Sequence, residues 1–203
     1  MRYGEHNRDR MSKFDYAATI AASLAYLLQH QQDATGLVTF DHRIRMNMPA
    51  SASPAHTKRI VHELEQSDPD DRTDVAEVFH SLAEQIRRRG LVVLISDLFA
   101  DIGAITEALR HFRHRRHEVV VFQVMHEDEM SFPFQDNTLF KGLELSEELM
   151  AEPRALRKAY LQAKEDFVDR VRRVCAGSGI DFRLLSTADP LDAALSAYLA
   201  FRL

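Results

Sequence analysis

The chain has 203 residues, enough for one sizeable domain with a packed core and too many for a mini-protein. Apolar residues make up 45% and charged residues 28%, with 7 Gly and 6 Pro, which excludes collagen-like and low-complexity chains. Lys plus Arg (26) against Asp plus Glu (31) leaves a formal charge of −5, so the basic surplus of a general duplex-binding protein is missing and no nucleic-acid partner is expected.

Residues 1–11 are polar and basic and read as irregular. Together with the apolar stretch Ala17 to Leu28 they have the outline of a signal peptide. Asp15 at its edge and the lack of a small-x-small cleavage site in Gln29 to Asp33 argue against that, and twelve apolar residues are too few to span a bilayer. A buried helix is expected instead, opened by Ser12-Lys13-Phe14-Asp15 as a Ser-x-x-Asp variant of the capping box and running to about Gln32. Gly36 to Phe40 then reads as a strand, and Ile44 to Met48 alternates at period two as a half-exposed edge strand would, the two joined as a hairpin through Asp41-His42-Arg43.

Pro49 to Pro54 reads as a loop, and Ile60, Val61 and Leu64 mark a helix that Asp68-Pro69-Asp70-Asp71 breaks. Val75, Val78, Phe79, Leu82 and Ile86 have helical spacing, ended by Gly90. The unbroken apolar run Leu91 to Ile95 is the pattern of a strand covered on both faces in a parallel sheet. A helix from about Ile102 to His114 and a second such strand, Val119 to Val124, follow. Residues 131–150 read as an insertion holding short strands at Thr138 to Phe140 and Leu143 to Leu145. Pro153 opens a long helix carrying Leu156, Tyr160, Phe167, Val171 and Val174, closed by Gly177 and Gly179. Ile180 to Leu185 is the last strand, and Asp189-Pro190 caps a final helix. This order predicts a single α/β domain over residues 1–203, a doubly wound, mostly parallel sheet with an antiparallel edge strand.

In open α/β sheets ligands gather at the carboxyl ends of the strands. That selects Asp97 after Leu91 to Ile95, Asp41 after the first strand, and His126 to Glu129 after Val119 to Val124. Asp97 either faces a hard cation or caps the following turn, and the sequence leaves both open. Thr73 is most simply a helix cap, and gains a functional reading only if Asp97 lies nearby. His126 to Glu129 reads as a solvated acidic loop. His111, His114 and His117, set among Arg110, Arg113, Arg115 and Arg116, read as a basic, solvated helix end rather than a zinc site. There is no Gly-x-Ser-x-Gly elbow, no phosphate-cradling Gly-rich loop and no Gly-x-Gly-x-x-Gly. The lone Cys175 excludes an internal disulfide and a Cys-based zinc site, reads as packing rather than nucleophile, and fits a reducing, cytoplasmic setting.

Three segments carry a resemblance: Lys13-Phe14-Asp15-Tyr16-Ala17-Ala18, Gln31 through Asp41, and Arg88-Arg89-Gly90-Leu91-Val92-Val93-Leu94-Ile95-Ser96-Asp97-Leu98. With Pro133-Phe134, the Pro153 helix start and Gly179-Ile180-Asp181, they resemble the carboxyl-terminal part of domain-of-unknown-function family 58, whose core is similar to a von Willebrand factor A domain. The resemblance implies a divalent-cation site, with Thr73 and Asp97 in the ligand positions and Mg²⁺ as the ion. The Asp-x-Ser-x-Ser loop of such sites is not in this sequence, so the ion is expected to bind weakly. By the same comparison the chain begins one strand late, the first central strand being missing, an omission worth on the order of 10 kcal/mol of apolar burial. The resemblance further implies a non-enzymatic adaptor for a MoxR-type AAA+ ATPase in assembly or maturation of other proteins. The alternative is a small-molecule hydrolase or transferase using Asp97. On this topology Leu91 to Ile95, Val119 to Val124 and Ile180 to Leu185 should be parallel neighbours, with Gly36 to Phe40 beyond the vacancy and Ile44 to Met48 outermost.

Overall fold

A computed structural model describes residues 11–67, 75–86, 88–135, 138–141, 148–151, 153–192 and 195–196. Helix α1 spans Lys13–His30 and starts where the capping pattern places it: Ser12 Oγ accepts the Asp15 N–H at 3.0 Å and donates to the Asp15 carboxylate at 2.8 Å. Five alanines at positions 17, 18, 21, 22 and 25 favour the helix, while Tyr16, Ile20 and Leu24 recur at three- and four-residue spacing and are buried.

Strands β1 (Thr35–Phe40) and β2 (Ile44–Ser51) pair antiparallel across the expected turn. β2 runs three residues beyond its alternating stretch, so Pro49, expected in a loop, lies in a strand, where an edge position tolerates a residue with no N–H. A register shift lies between Thr35 and Leu37. A Cβ on the intervening Gly36 would stand 2.7 Å from the Met48 carbonyl oxygen, so only glycine fits there.

After α2 (Pro54–Gln66) and α3 (Val75–Gln85), strand β3 (Leu91–Ser96), α4 (Ile102–His114), β4 (Glu118–Met125) and the short α5 (Glu127–Ser131) follow in order. The hairpin β5 (Thr138–Lys141) and β6 (Glu148–Ala151) fills the insertion. Its second strand begins beyond Leu143 to Leu145, which lie outside the described residues. Helix α6 (Pro153–Gly177) and β7 (Asp181–Ser186) complete the elements, and Gly179, at φ 63°, turns the chain from one to the other. Leu191–Asp192 and Leu195–Ser196 are helical, but the Asp189 carboxylate accepts the Ser186 N–H at 3.1 Å and so closes the turn after β7.

The two apolar runs β3 and β4 form one parallel sheet with β7, in the order β3-β4-β7, as expected. The β1–β2 hairpin is a separate two-stranded sheet, which corrects the single sheet with an antiparallel edge strand. β4 is central and buried from Val119 to Met125. β3 stands at one end of the order and is only partly covered at Leu91, Val92, Val93 and Ile95, although its sequence is as apolar as that of β4.

Side chains alternate across β4. Val120, Phe122 and Val124 pack with Leu185 against Tyr16, Ile20 and Leu24 of α1. Val119 and Val121 face the other layer, in which α3, α4 and α6 contribute Phe79, Leu82, Ile105, Leu109, Val171 and Cys175. Leu156, expected on the buried stripe of α6, is 39% exposed, in an opening stretch of that helix whose residues 154–159 are all exposed. His117, expected in a solvated helix end, is 1% exposed and packs beside the Phe112 ring, while Arg113 reaches over it to the His117 and Ser178 carbonyls.

Candidate functional site

The carboxyl edge of the parallel sheet is organised around three charged side chains from distant parts of the chain. β3 ends at Ser96, whose hydroxyl accepts the Leu98 N–H at 3.1 Å. Leu98 is fully buried with φ 55°, a left-handed conformation that a leucine holds only when its surroundings impose it. This tight turn leaves the Asp97 carboxylate at the strand end and sends Phe99 outward, 67% exposed.

Lys13, in the first turn of α1, reaches into the same place. Its ammonium donates to Asp97 Oδ2 at 3.0 Å and to Glu129 Oε1 at 2.9 Å, and lies 5.9 Å from the centre of the Phe99 ring. The side chain is 5% exposed. A lysine at a helix amino terminus faces the positive end of the dipole, and here two carboxylates offset that as well as the burial. Glu129 is itself held by a second bond: in the capping box of α5 its Oε2 accepts the His126 N–H at 2.8 Å, while His126 Nδ1 accepts from the Asp128 N–H.

The protonation states follow from this arrangement. Burial pushes the Lys13 pKa down, but attraction and hydrogen bonding to Asp97 and Glu129 outweigh it and leave the ammonium above its ordinary value. Burial likewise pushes the Asp97 carboxyl up, and the Lys13 ammonium, with bonds from Lys13 and the Phe99 N–H, holds it below the usual carboxylate range. A carboxylate so held is a weak general base near neutral pH.

Asp97 thus lies at the sheet edge, where the strand-end rule places it, and Glu129 joins it from a segment expected to be a solvated loop. Thr73 lies outside the described residues. Asp41 belongs elsewhere: in the hairpin turn its carboxylate accepts the Arg43 N–H at 3.0 Å and pairs with Arg45 and His42. Asp101 caps α4 through the Ala104 N–H. Cys175 is buried in the apolar layer, which pushes its thiol up to about 11 and makes it a poor nucleophile.

Sequence reasoning passed over Lys13 and, having placed His126 to Glu129 at the strand end, read Glu129 as part of a solvated loop. Lys13 looked like an ordinary first-turn residue, and nothing local links it to a carboxylate 84 or 116 residues away. Glu129 carried a usable signal, the third helical position after a buried strand, where a capping box fixes a glutamate. The ammonium holds the space between the two carboxylates that a divalent ion would need, so these residues as arranged do not fit Mg²⁺. Among the described residues there is no group of three His, Cys, Asp or Glu side chains able to hold a metal, and no helix is long and apolar enough to cross a membrane.

A family profile described as "Protein of unknown function DUF58" matches residues 1–169. No curated protein sequence matches the chain. Among solved structures, it is similar to a conserved hypothetical protein BatB from Bacteroides thetaiotaomicron, with 11% identity, a TM-score of 0.55, and 93% of this chain and 87% of that one covered. It is also similar to an aerotolerance-related membrane protein from Bacteroides fragilis NCTC 9343, with 14% identity, a TM-score of 0.59, and coverage of 92% and 86%. At such identities the likeness is one of fold.

Proposed function

The chain belongs to the DUF58 family, and from that premise we propose that it is a non-enzymatic protein-interaction module of von Willebrand factor A-like fold, acting in the cytoplasm as an adaptor for a MoxR-type AAA+ ATPase in the assembly or maturation of other proteins. The observation that carries the non-enzymatic part is the pairing of Lys13 with Asp97 and Glu129. The acids that a hydrolase or transferase would use at this sheet edge are bound to a buried ammonium, one of them with its pKa lowered. The exposed Phe99 beside this cluster supplies an apolar contact of the kind found at protein interfaces. The ATPase as partner is supported by the family resemblance of the segments around Lys13, Gly36 and Asp97.

Mg²⁺ at Asp97 and Thr73, which the resemblance implies, enters this proposal only as weak association that has to displace the Lys13 ammonium, with a dissociation constant above about 1 mM. Affinity capture tests the partner: the tagged protein should recover a MoxR-type ATPase from its own cell extract in the presence of a slowly hydrolysed nucleotide. Repeated recovery of none, together with turnover of a phosphoester or ester substrate that Asp97→Asn abolishes, establishes the enzyme alternative instead.

A further inference from the structure

The opposite end of the parallel sheet, where its strands begin, gathers positive charge in a chain whose formal charge is −5. Arg88 and Arg89 lie just before β3, Arg110 lies in the last turns of α4, and Arg115 and Arg116 lie between α4 and β4. All five are exposed, and none of their guanidinium groups makes a hydrogen bond or an ion pair with a described residue. Leu91 pairs with Glu118 and Val120 with Asp181, so the three strands start within about two residues of one level and the turns before β3 and β4 lie side by side. Glu84, Glu118 and Asp181 share these turns and helix ends, too few to balance the five arginines and Arg113.

Complementing helix dipoles does not account for the gathering. α3 and α6 end at the same edge with no basic residue in the last turn. A dipole acts within about one turn, and Arg88 and Arg89 lie beyond the end of α3 at Gln85. Arg116 carries the argument further. After α4 the His117 N–H donates to the Phe112 carbonyl at 3.1 Å and the Arg116 N–H to the Arg113 carbonyl at 2.8 Å. After α6 the Ile180 N–H donates to the Cys175 carbonyl at 2.9 Å and the Gly179 N–H to the Ala176 carbonyl at 3.2 Å. The two turns are one helix-ending motif, and its left-handed position, at φ 63° in both, holds Gly179 in one and Arg116 in the other. Glycine takes that conformation without steric cost and arginine does not. The chain keeps a guanidinium where a glycine would fold better.

Among the described residues the large apolar side chains that stand exposed are Met11, Tyr26, Phe99 and Leu156, none of them in these turns. A protein partner would find no apolar anchor here, and a single-stranded nucleic acid no ring on which to stack. The helices present their ends rather than their sides, a poor fit to a duplex groove. Forked cations near one level suit a plane of closely spaced phosphates. We propose that this edge of the sheet docks on an anionic lipid bilayer, with the arginines on the headgroup phosphates. The inference does not depend on the adaptor reading, and a failed ATPase capture leaves it standing.

Co-sedimentation of the full chain with vesicles tests it. Phosphatidylcholine vesicles containing about one-third phosphatidylglycerol should bind the protein at about 0.1 M salt, and vesicles of phosphatidylcholine alone should not. Arg88→Glu with Arg89→Glu should lower the partition coefficient more than about tenfold. Arg154→Glu with Lys158→Glu makes the same change in charge at exposed positions where α6 begins, at the other end of the sheet, and should lower it less than about twofold. Arg116→Gly should weaken binding about fivefold and yet raise the midpoint of thermal unfolding, a pairing that a merely structural arginine would not give.

Equal binding to the two kinds of vesicle, equal loss in the two double variants, undiminished binding by Arg116→Gly, or tighter binding to duplex DNA than to the anionic vesicles overturns the proposal. Should the Arg88 and Arg89 double variant fail to fold, the lipid comparison and Arg116→Gly decide.

Discussion

The hairpin turn and the carboxyl edge of the parallel sheet both bury an aspartate, and each neutralises it differently. Asp41 finds its partners within four residues, in the Arg43 N–H and the Arg45 guanidinium. Asp97 finds its partner 84 residues away, in the ammonium of Lys13, which also binds Glu129. A local pair is largely set once the turn forms, and although Asp41 is buried its partners Arg45 and His42 stay 33% and 48% exposed, whereas Lys13 is 5% exposed. A pair assembled across the fold exists only when α1, β3 and α5 are all in place, and breaking it strands charge in the interior. Sequence separation and the burial of its cation thus make the second arrangement a tie between elements, and the first a detail of one turn.

Removing the shared cation should have the largest effect. Lys13→Met leaves two carboxylates facing each other in a largely buried site and should cost about 3–5 kcal/mol in chemical denaturation. Adding Asp97→Asn and Glu129→Gln to it should recover most of that loss, because a neutral cluster has no unpaired charge to bury. A triple variant as unstable as the single one would mean that Lys13 contributes through its methylene stem rather than its charge.

The pH dependence sharpens the contrast. Asp97 is lowered in the folded state, so its contribution is present above the unfolded value near 4 and is lost as pH falls through the folded pKa. Lys13 is raised, so its contribution is complete below the unfolded value near 10.5 and is lost as pH rises beyond it. Tyr16 and Cys175, pushed up to about 12 and about 11 by burial, add their own alkaline loss, so the difference between wild type and Lys13→Met isolates the cluster. That difference should shrink above about pH 10, and on the acid side it should begin to shrink above the ordinary carboxylate range, because without Lys13 burial and mutual repulsion raise the two carboxyls of the variant. A difference that grows below pH 4 contradicts the assignment.

Asp41→Asn should cost about 1 kcal/mol and raise amide exchange only in the β1–β2 hairpin, whereas Lys13→Met should raise exchange in α1, β3 and α5 together. The smallest effect is expected at Asp169, paired with Arg172 on α6 with both side chains more than half exposed: Asp169→Ala should change stability by less than about 0.5 kcal/mol.

The same contrast explains what the sequence disclosed. Periodicity and capping signals are local, and Ser12 and Gly179 begin and end helices where their chemistry requires. The Asp41 turn, bounded by a short strand and the alternating Ile44 to Met48, was readable for the same reason. β3 was legible as a strand from Leu91 to Ile95, but not as the end strand of its sheet, because its apolar residues match those of the central β4. Asp97 could be placed at the sheet edge by the strand-end rule. Its partner could not, since only the packing of α1 across the sheet brings Lys13 there. Nor did anything local tell that Gln123, inside the apolar run of β4, would reach the Asp97 carbonyl with its amide.

Calorimetric titration with Mg²⁺ tests the central claim most directly, that the Lys13 ammonium takes the place of an exchangeable cation at this edge. The wild-type protein should bind the ion with a dissociation constant above about 1 mM, and Lys13→Ala, which frees both carboxylates, should bind it more tightly, the gain vanishing when Asp97→Ala is added. Micromolar binding by the wild type that depends on Asp97 would contradict the account.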